Sequence, residues 1–173
     1  MADNFRLKNI IISKLASWFP ALREKLVAGY QPEDRAGDIP WKQFDRPLSE
    51  CKIALVTTAG IHHKSQQPFN MKDADGDPTF RVLDAETLWD DFTITHDYYD
   101  HSNARKDPNI VLPLDRLKEF EEEGVIGEMA QKHYGFMGHV AGDHLVDLVE
   151  KSAREVALEL KNDQVDLVLL APA

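Results

Sequence analysis

Lys52-Ile-Ala-Leu-Val-Thr-Thr-Ala-Gly60 is a short apolar run that ends in small polar residues and a glycine. A run of this length and composition reads as a buried strand that delivers a loop at its carboxyl end. Open α/β sheets bind ligands at that edge, so Thr57 and Thr58 enter as candidate contact residues. A second apolar run, Val165-Asp-Leu-Val-Leu-Leu-Ala-Pro-Ala173, reads as another strand. Two such strands separated by helical patterns predict an α/β fold, with a parallel or mixed sheet flanked by helices.

The helical patterns are of unequal strength. Over residues 143–161, Leu145, Leu148, Val149, Val156 and Leu160 share a face, and Asp143 is placed to cap the helix. Residues 112–124 also read as a helix, with Pro113 in the first turn, Leu114, Leu117 and Phe120 on one face, and Gly124 ending it. Near the N-terminus Ile11, Leu15, Trp18, Phe19, Leu22 and Leu26 recur at helical spacing, divided at Pro20. That stripe is expected to pack on its own domain, with docking of a partner as the less favoured reading. Residues 31–50, with Pro32, Gly37, Pro40 and Pro47, read as an irregular connection. The expected division is therefore an N-terminal helical segment and linker, 1–50, and an α/β domain, 51–173. Residues 61–81 read as a long polar loop, 92–95 as a short strand, and 125–142, punctuated by Gly127, Gly135, Gly138 and Gly142, as undecided.

Composition narrows the function. The chain has 20 basic and 30 acidic residues and a formal net charge of -10, which opposes binding to nucleic acid or to an anionic membrane surface. No secretory signal and no apolar stretch of the ~20 residues needed to span a bilayer is present. With one cysteine, Cys51, a disulfide framework or cysteine-ligated zinc site is excluded within this chain, and the cytoplasm is the expected location. Cys51 itself reads as a buried, inert thiol.

The densest polar cluster is His96-Asp97-Tyr98-Tyr99-Asp100-His101. Two imidazoles and two carboxylates there suit acid/base work or a divalent metal. Their order matches no zinc signature, a hydrogen-bonded turn is the plainer reading, and no metal is assigned. His62 lies in a loop that shares the sheet edge if both strands end there. Asp73-Ala-Asp-Gly-Asp77 resembles a calcium loop only superficially, because the sixth and twelfth positions, which should be Gly and Glu, are Pro78 and Asp84. His133-Tyr-Gly-Phe-Met-Gly-His139 suits either a substrate lining or a glycine-punctuated turn. No Walker motif, dinucleotide fingerprint or nucleophile elbow occurs.

Taken in order, Ala54-Leu-Val-Thr-Thr-Ala-Gly-Ile-His62, Gly76-Asp-Pro-Thr-Phe-Arg81, Thr95-His-Asp-Tyr-Tyr-Asp-His101, Asp107-Pro-Asn-Ile-Val-Leu-Pro-Leu-Asp-Arg116, Gly124-Val-Ile-Gly127, His133-Tyr-Gly-Phe-Met-Gly138 and the run ending at Ala173 resemble the selenoprotein B subunits of the glycine/sarcosine/betaine reductase and D-proline reductase family. The resemblance covers most of the chain from about Cys51 onward, and implies an oxidoreductase subunit for reductive C–N cleavage of a small amino acid or amine. In that family a partner subunit carrying a pyruvoyl group captures the substrate as an iminium. A selenocysteine or cysteine then attacks the α-carbon, and a second thiol resolves the seleno- or thioether.

The nucleophile opens a Sec/Cys-x-x-Cys motif directly after the strand matched by residues 165–173, so the chain is expected to be the N-terminal portion of such a subunit, incomplete at its C-terminus and lacking the redox residue. The expected continuation is a UGA codon after Ala173, deliberate trimming being the alternative. The chain itself then carries no cofactor, and no residue in it is assigned a firm catalytic role. Thr57, Thr58, His62, His96, Asp97, Asp100 and His101 are the candidates for substrate contact or proton transfer. The expected partners are the pyruvoyl-containing subunit and the amine substrate, with self-association into a homo-oligomer left open. The rival readings are a non-catalytic binding or assembly module and a metal-dependent hydrolase built on the His96 to His101 cluster.

Overall fold

The computed structural model describes residues 2–28 and 42–173, the side chains of residues 2–5, 26 and 27 excepted. The predicted connection therefore lies partly, and Leu26 wholly as a side chain, outside the described residues. Two helices, α1 (Ala2–Trp18) and α2 (Pro20–Ala28), precede the sheet domain. The strands that follow are β1 (Lys52–Thr57), β2 (Ile61–His63), β3 (Phe80–Asp84) and β4 (Phe92–Ile94). Then come α3 (Leu114–Glu122), β5 (Glu128–Met129) and β6 (Lys132–Phe136). The chain closes with α4 (His144–Asp147), a π-helical turn at Leu148–Ser152, α5 (Ala153–Asn162) and β7 (Leu167–Ala171).

The α/β expectation holds, with a mixed sheet. β1 is its centre: β7 pairs with it in parallel along one side, from Ile53 against Leu167 to Thr57 against Ala171. On the other side β5 pairs in parallel with the start of β1 and β6 with its end, and β3 lies antiparallel on β6. A separate two-stranded ribbon joins β2 and β4. Alternation along β1 sorts the core into two layers. Ile53 and Leu55 pack with Leu112, Leu114 and Leu117 toward α3, whereas Ala54 packs with Tyr134, Val156 and Leu160 toward α5. Burying both faces of a central strand is what its unbroken apolar run anticipates.

Several expectations are corrected. The segment 61–81 is not all loop, because it contains β2 and the start of β3. The undecided segment contains β5 and β6, so His133, Tyr134 and Phe136 are buried strand residues. Asp143 makes no side-chain cap, since its own backbone is already helical. The N-terminal apolar stripe does not pack on the domain as expected: Ile11, Leu15, Trp18 and Phe19 are exposed, Trp18 by 75%, and Leu22 is half-buried. Helix α1 is held instead by polar contacts, Arg6 to Asp97 and Ser17 to Asp100, which turn the apolar face outward. Gly124 does end α3, at φ +71°.

Cys51 is fully buried, with its thiol donating to the carbonyl of Pro47 at 3.1 Å. Asp77 is likewise spent internally, accepting the backbone N–H groups of Asn70 and Thr79 beside Arg81, whose guanidinium lies 4.4 Å over the Phe69 ring. Those partners, the Arg81 cation among them, account for Asp77.

Candidate functional site

The carboxyl end of β1 is where the candidate residues gather. Thr57 is buried, and its hydroxyl oxygen accepts the N–H of Ala59 at 3.2 Å, bending the chain out of the sheet. Gly60 follows at φ +67°, a conformation that disfavours any residue with a Cβ. A Cβ here would also stand 2.5 Å from the carbonyl oxygen of Thr95 and 2.9 Å from Cβ of His96. This close approach lets Thr95 donate to the Gly60 carbonyl at 2.8 Å, and so brings the end of β4, with His96 next in sequence, against the end of β1.

Thr58 secures the neighbouring strand twice. Its backbone N–H donates to Ala171 at 3.2 Å, and its hydroxyl oxygen accepts the N–H of Ala173 at 3.1 Å. The third element at this point is Gly138, just past β6. A Cβ built on it would lie 2.9 Å from the Thr58 carbonyl oxygen, 3.1 Å from Nε2 of His96 and 3.2 Å from the Ala173 carbonyl oxygen. The end of β1, the end of β7 and the His96 ring thus meet across the width of one glycine.

His96 is 3% exposed. Its Nδ1 accepts the backbone N–H of Tyr98 at 3.1 Å, an assignment from the hydrogen-bond pattern that puts the proton of the neutral ring on Nε2. Nε2 has no hydrogen-bond partner among the described residues. Burial depresses the His96 pKa to about 4; nearby His101 and His139 push the same way and Asp97 opposes them. The ring is edge-on to Tyr98 and Tyr99, at centroid distances of 5.8 and 4.9 Å. The Tyr99 hydroxyl donates to the Ala59 carbonyl at 3.1 Å and burial raises its pKa, while Tyr98 stacks on His139 at 4.2 Å.

The remaining candidates divide. Asp97, Asp100 and His101 line, with His96, a cleft of about 550 Å³ against Arg6, Lys14 and Trp18 of α1. Asp97 is bound by Arg6 through two hydrogen bonds of 2.6 and 3.3 Å. Asp100 accepts the Ser102 N–H at 3.0 Å, which chiefly holds its pKa below the usual carboxylate value. His101 is half-buried, and burial lowers its pKa; its Nε2 is unpartnered among the described residues. His62 is not brought to this cleft. Both its ring nitrogens are engaged, with the His63 carbonyl and the Thr95 hydroxyl at 2.9 Å, so it fastens the β2–β4 ribbon.

Among the described residues no group of three or more His, Cys, Asp or Glu side chains is arranged to hold a metal ion. Nor does any described helix have the length and apolarity to cross a membrane. The sequence does not single out Gly138 or Arg6 as site residues: Gly138 stands in the run His133 to His139 with no sign of the close approach it permits, and Arg6 carries no signal until α1 is seen against Asp97.

Residues 34–173 match the family model described as glycine/sarcosine/betaine reductase selenoprotein B. The chain belongs to that family. Among curated members, it is 35% identical over 130 residues to the D-proline reductase subunit gamma of Acetoanaerobium sticklandii, an alignment that covers 75% of this chain and 52% of that protein. It is 33% identical over 158 residues to the glycine reductase complex component B subunit gamma of Symbiobacterium thermophilum, covering 85% and 36%. With the sarcosine reductase complex component B subunit beta of Peptoclostridium acidaminophilum it shares 35% over 103 residues, covering 54% and 24%. The chain thus spans about half the length of the first of these selenoprotein B relatives, and less of the others. No solved structure matches it.

Proposed function

We propose that this chain is the N-terminal part of an oxidoreductase subunit for reductive cleavage of the C–N bond of glycine, sarcosine, betaine, D-proline or a related amine. In this reading the selenocysteine or cysteine nucleophile directly follows Ala173. The observation that carries it is the double hold of Thr58 on Ala171 and Ala173. It fixes the end of β7 at the carboxyl edge of the sheet, where α/β folds place their chemistry, beside His96.

A pyruvoyl group on a partner subunit would act as electron sink for the substrate nitrogen. The residues of this chain would do the positioning. Thr58 sets the height of the strand end, and His96 presents an N–H beside it. Asp97, Asp100 and His101 supply polar groups along the adjoining cleft for substrate contact or proton transfer. The names of the relatives, subunits of reductase complexes, support a multi-subunit enzyme, and the surplus of acid together with the single buried cysteine supports a cytoplasmic one.

The test has two parts. Reading the coding DNA past codon 173 should reveal an in-frame selenocysteine or cysteine codon, and its absence ends the proposal. The full-length polypeptide, mixed with its pyruvoyl-bearing partner, should then form a seleno- or thioether adduct with one of the four substrates, seen by intact-mass spectrometry. No adduct with any of them, nor with related small amines and N-alkylated amino acids, would overturn the reading.

A further inference from the structure

The cleft between α1 and residues 94–105 carries more positive than negative charge, against the trend of a chain with 20 basic and 30 acidic residues. Three cations line it, Arg6, Lys14 and Arg105, against two carboxylates, Asp97 and Asp100. Burial lowers the pKa of both imidazoles, His96 and His101, so neither adds a charge near neutral pH. Both carboxylates are spent inside the protein. Asp97 takes two hydrogen bonds from Arg6. Asp100 accepts the Ser102 N–H at 3.0 Å and the Ser17 hydroxyl at 3.3 Å, with the Lys14 cation acting on it through space.

Arg105 is the cation left over. Its backbone N–H donates to the His101 carbonyl at 2.9 Å, which sets it one turn beyond that imidazole. Its guanidinium makes no hydrogen bond or ion pair among the described residues, and Asp90, which borders a neighbouring cavity with it, does not pair with it. A second observation marks the cleft as a ligand site. His96 and His101 both line it, and Nε2 of each is buried without a partner among the described residues. Such atoms are rare in folded proteins unless something fills the space beside them. The volume, about 550 Å³, is that of a small-molecule pocket, and Ile10, Trp18 and Ile94 give it an apolar flank.

We propose that Arg105 binds the carboxylate of the ligand held in this cleft, so that the subunit takes an amino acid, free or N-alkylated, and not an amine that lacks the acid group. The proposal deepens the functional reading above and rests on it for the nitrogen of the ligand; the carboxylate is argued from the charge of the cleft. A guanidinium offers two parallel N–H donors that match the two oxygens of a carboxylate, and one negative charge balances the cation left over. Lys14 adds attraction from α1, and the apolar flank is placed to meet the carbon skeleton.

The test measures binding by calorimetry at pH 7.5, with the full-length polypeptide that contains this chain. The probes are glycine, sarcosine, betaine and D-proline, each beside its primary amide, which keeps the nitrogen and the size but not the negative charge. At least one acid should bind, about tenfold or more tighter than its amide. Arg105→Gln removes the charge at an exposed position and should abolish that preference, whereas Arg105→Lys should keep part of it. In turnover with the partner subunit, Arg105→Gln should raise KM for the acid by about tenfold or more and change kcat far less. No binding by any of the four acids, equal binding of acid and amide, or a preference that survives Arg105→Gln would overturn the proposal. Adduct formation indifferent to Arg105→Gln would overturn it while leaving the reductase reading intact. A preference for the acids that depends on Arg105, in a protein that forms no adduct, would overturn the reductase reading alone.

Discussion

The backbone N–H of Leu55 donates to Nδ1 of His133 at 2.9 Å, in the middle of the sheet. At that point β5 has ended and β6 has only begun, and the ladder along β1 lacks a carbonyl. An imidazole from the incoming strand takes its place.

Replacing His133 by leucine should leave the Leu55 N–H buried and unpaired, at a cost of about 1–3 kcal/mol. Urea unfolding at pH 7.5 measures this. A glutamine, which can still accept, should lose less. If His133→Leu is as stable as the parent, the imidazole is not needed by the ladder.

Acid should unfold the protein earlier than its carboxylates alone require. His96 and His133 are both held near pKa 4 by burial, below the usual imidazole value of about 6.5. In the unfolded chain they take up protons as pH falls through 6.5, while in the folded chain they do not. Their contribution is thus complete above about 6.5 and is lost progressively down to about 4, by up to roughly 3 kcal/mol each. His144, partly exposed and paired with Asp73 at 3.0 Å, has its pKa raised and behaves oppositely: its small contribution is present at low pH and fades as pH rises through its folded pKa. Histidine titration by NMR should separate the two classes, with the urea midpoint falling between pH 6.5 and 4.

Gly60→Ala should be among the most damaging small substitutions in the domain, costing about 3 kcal/mol or more. It combines a left-handed backbone with a methyl group 2.5 Å from the Thr95 carbonyl oxygen. Thr58→Val tests the same edge more gently: it removes the acceptor for Ala173 while keeping the backbone bond to Ala171. Hydrogen exchange should quicken at Ala173 with little change in the middle of β7. Uniform change along the strand would show that the hydroxyl does not act locally.

Arg6→Ala should release α1. It strips the partner from Asp97, whose side chain is 8% exposed, and a buried carboxylate left alone is costly. Faster exchange throughout Ala2–Trp18, with β1 unaffected, is the expected outcome. Asp97→Asn should lessen the effect by removing the stranded charge.

Much of this architecture was legible because it follows from simple periodicity. β1 reads as buried because its apolar residues face both layers, and the run from Leu145 to Leu160 repeats at helical spacing even through the π turn. β3 and β6 were hidden because their residues have uses that alternation does not encode. Arg81 in β3 is tied to Thr79 and to the carbonyl oxygens of Gln67 and Phe80, and His133 in β6 substitutes for backbone. The candidate cluster was visible as composition, but its division was not. His62 is fully engaged and His96 is not, a distinction set by the Thr95 hydroxyl and the Tyr98 N–H rather than by the histidines themselves. The N-terminal stripe misled for a related reason, since an ion pair at Asp97 outweighed the apolar pattern in deciding which face of α1 meets the domain.

Among the described residues β7 has β1 on one side only, and Val168, Leu169 and Leu170 are exposed, Leu170 by 69%. An unpaired, apolar, uncharged edge is a template for strand addition. At high concentration the purified chain is therefore its own nearest available complement, and its shelf life will be set by self-recruitment at this margin, not by the stability of its core. A lysine at Leu170 should lengthen that life without altering the melting transition.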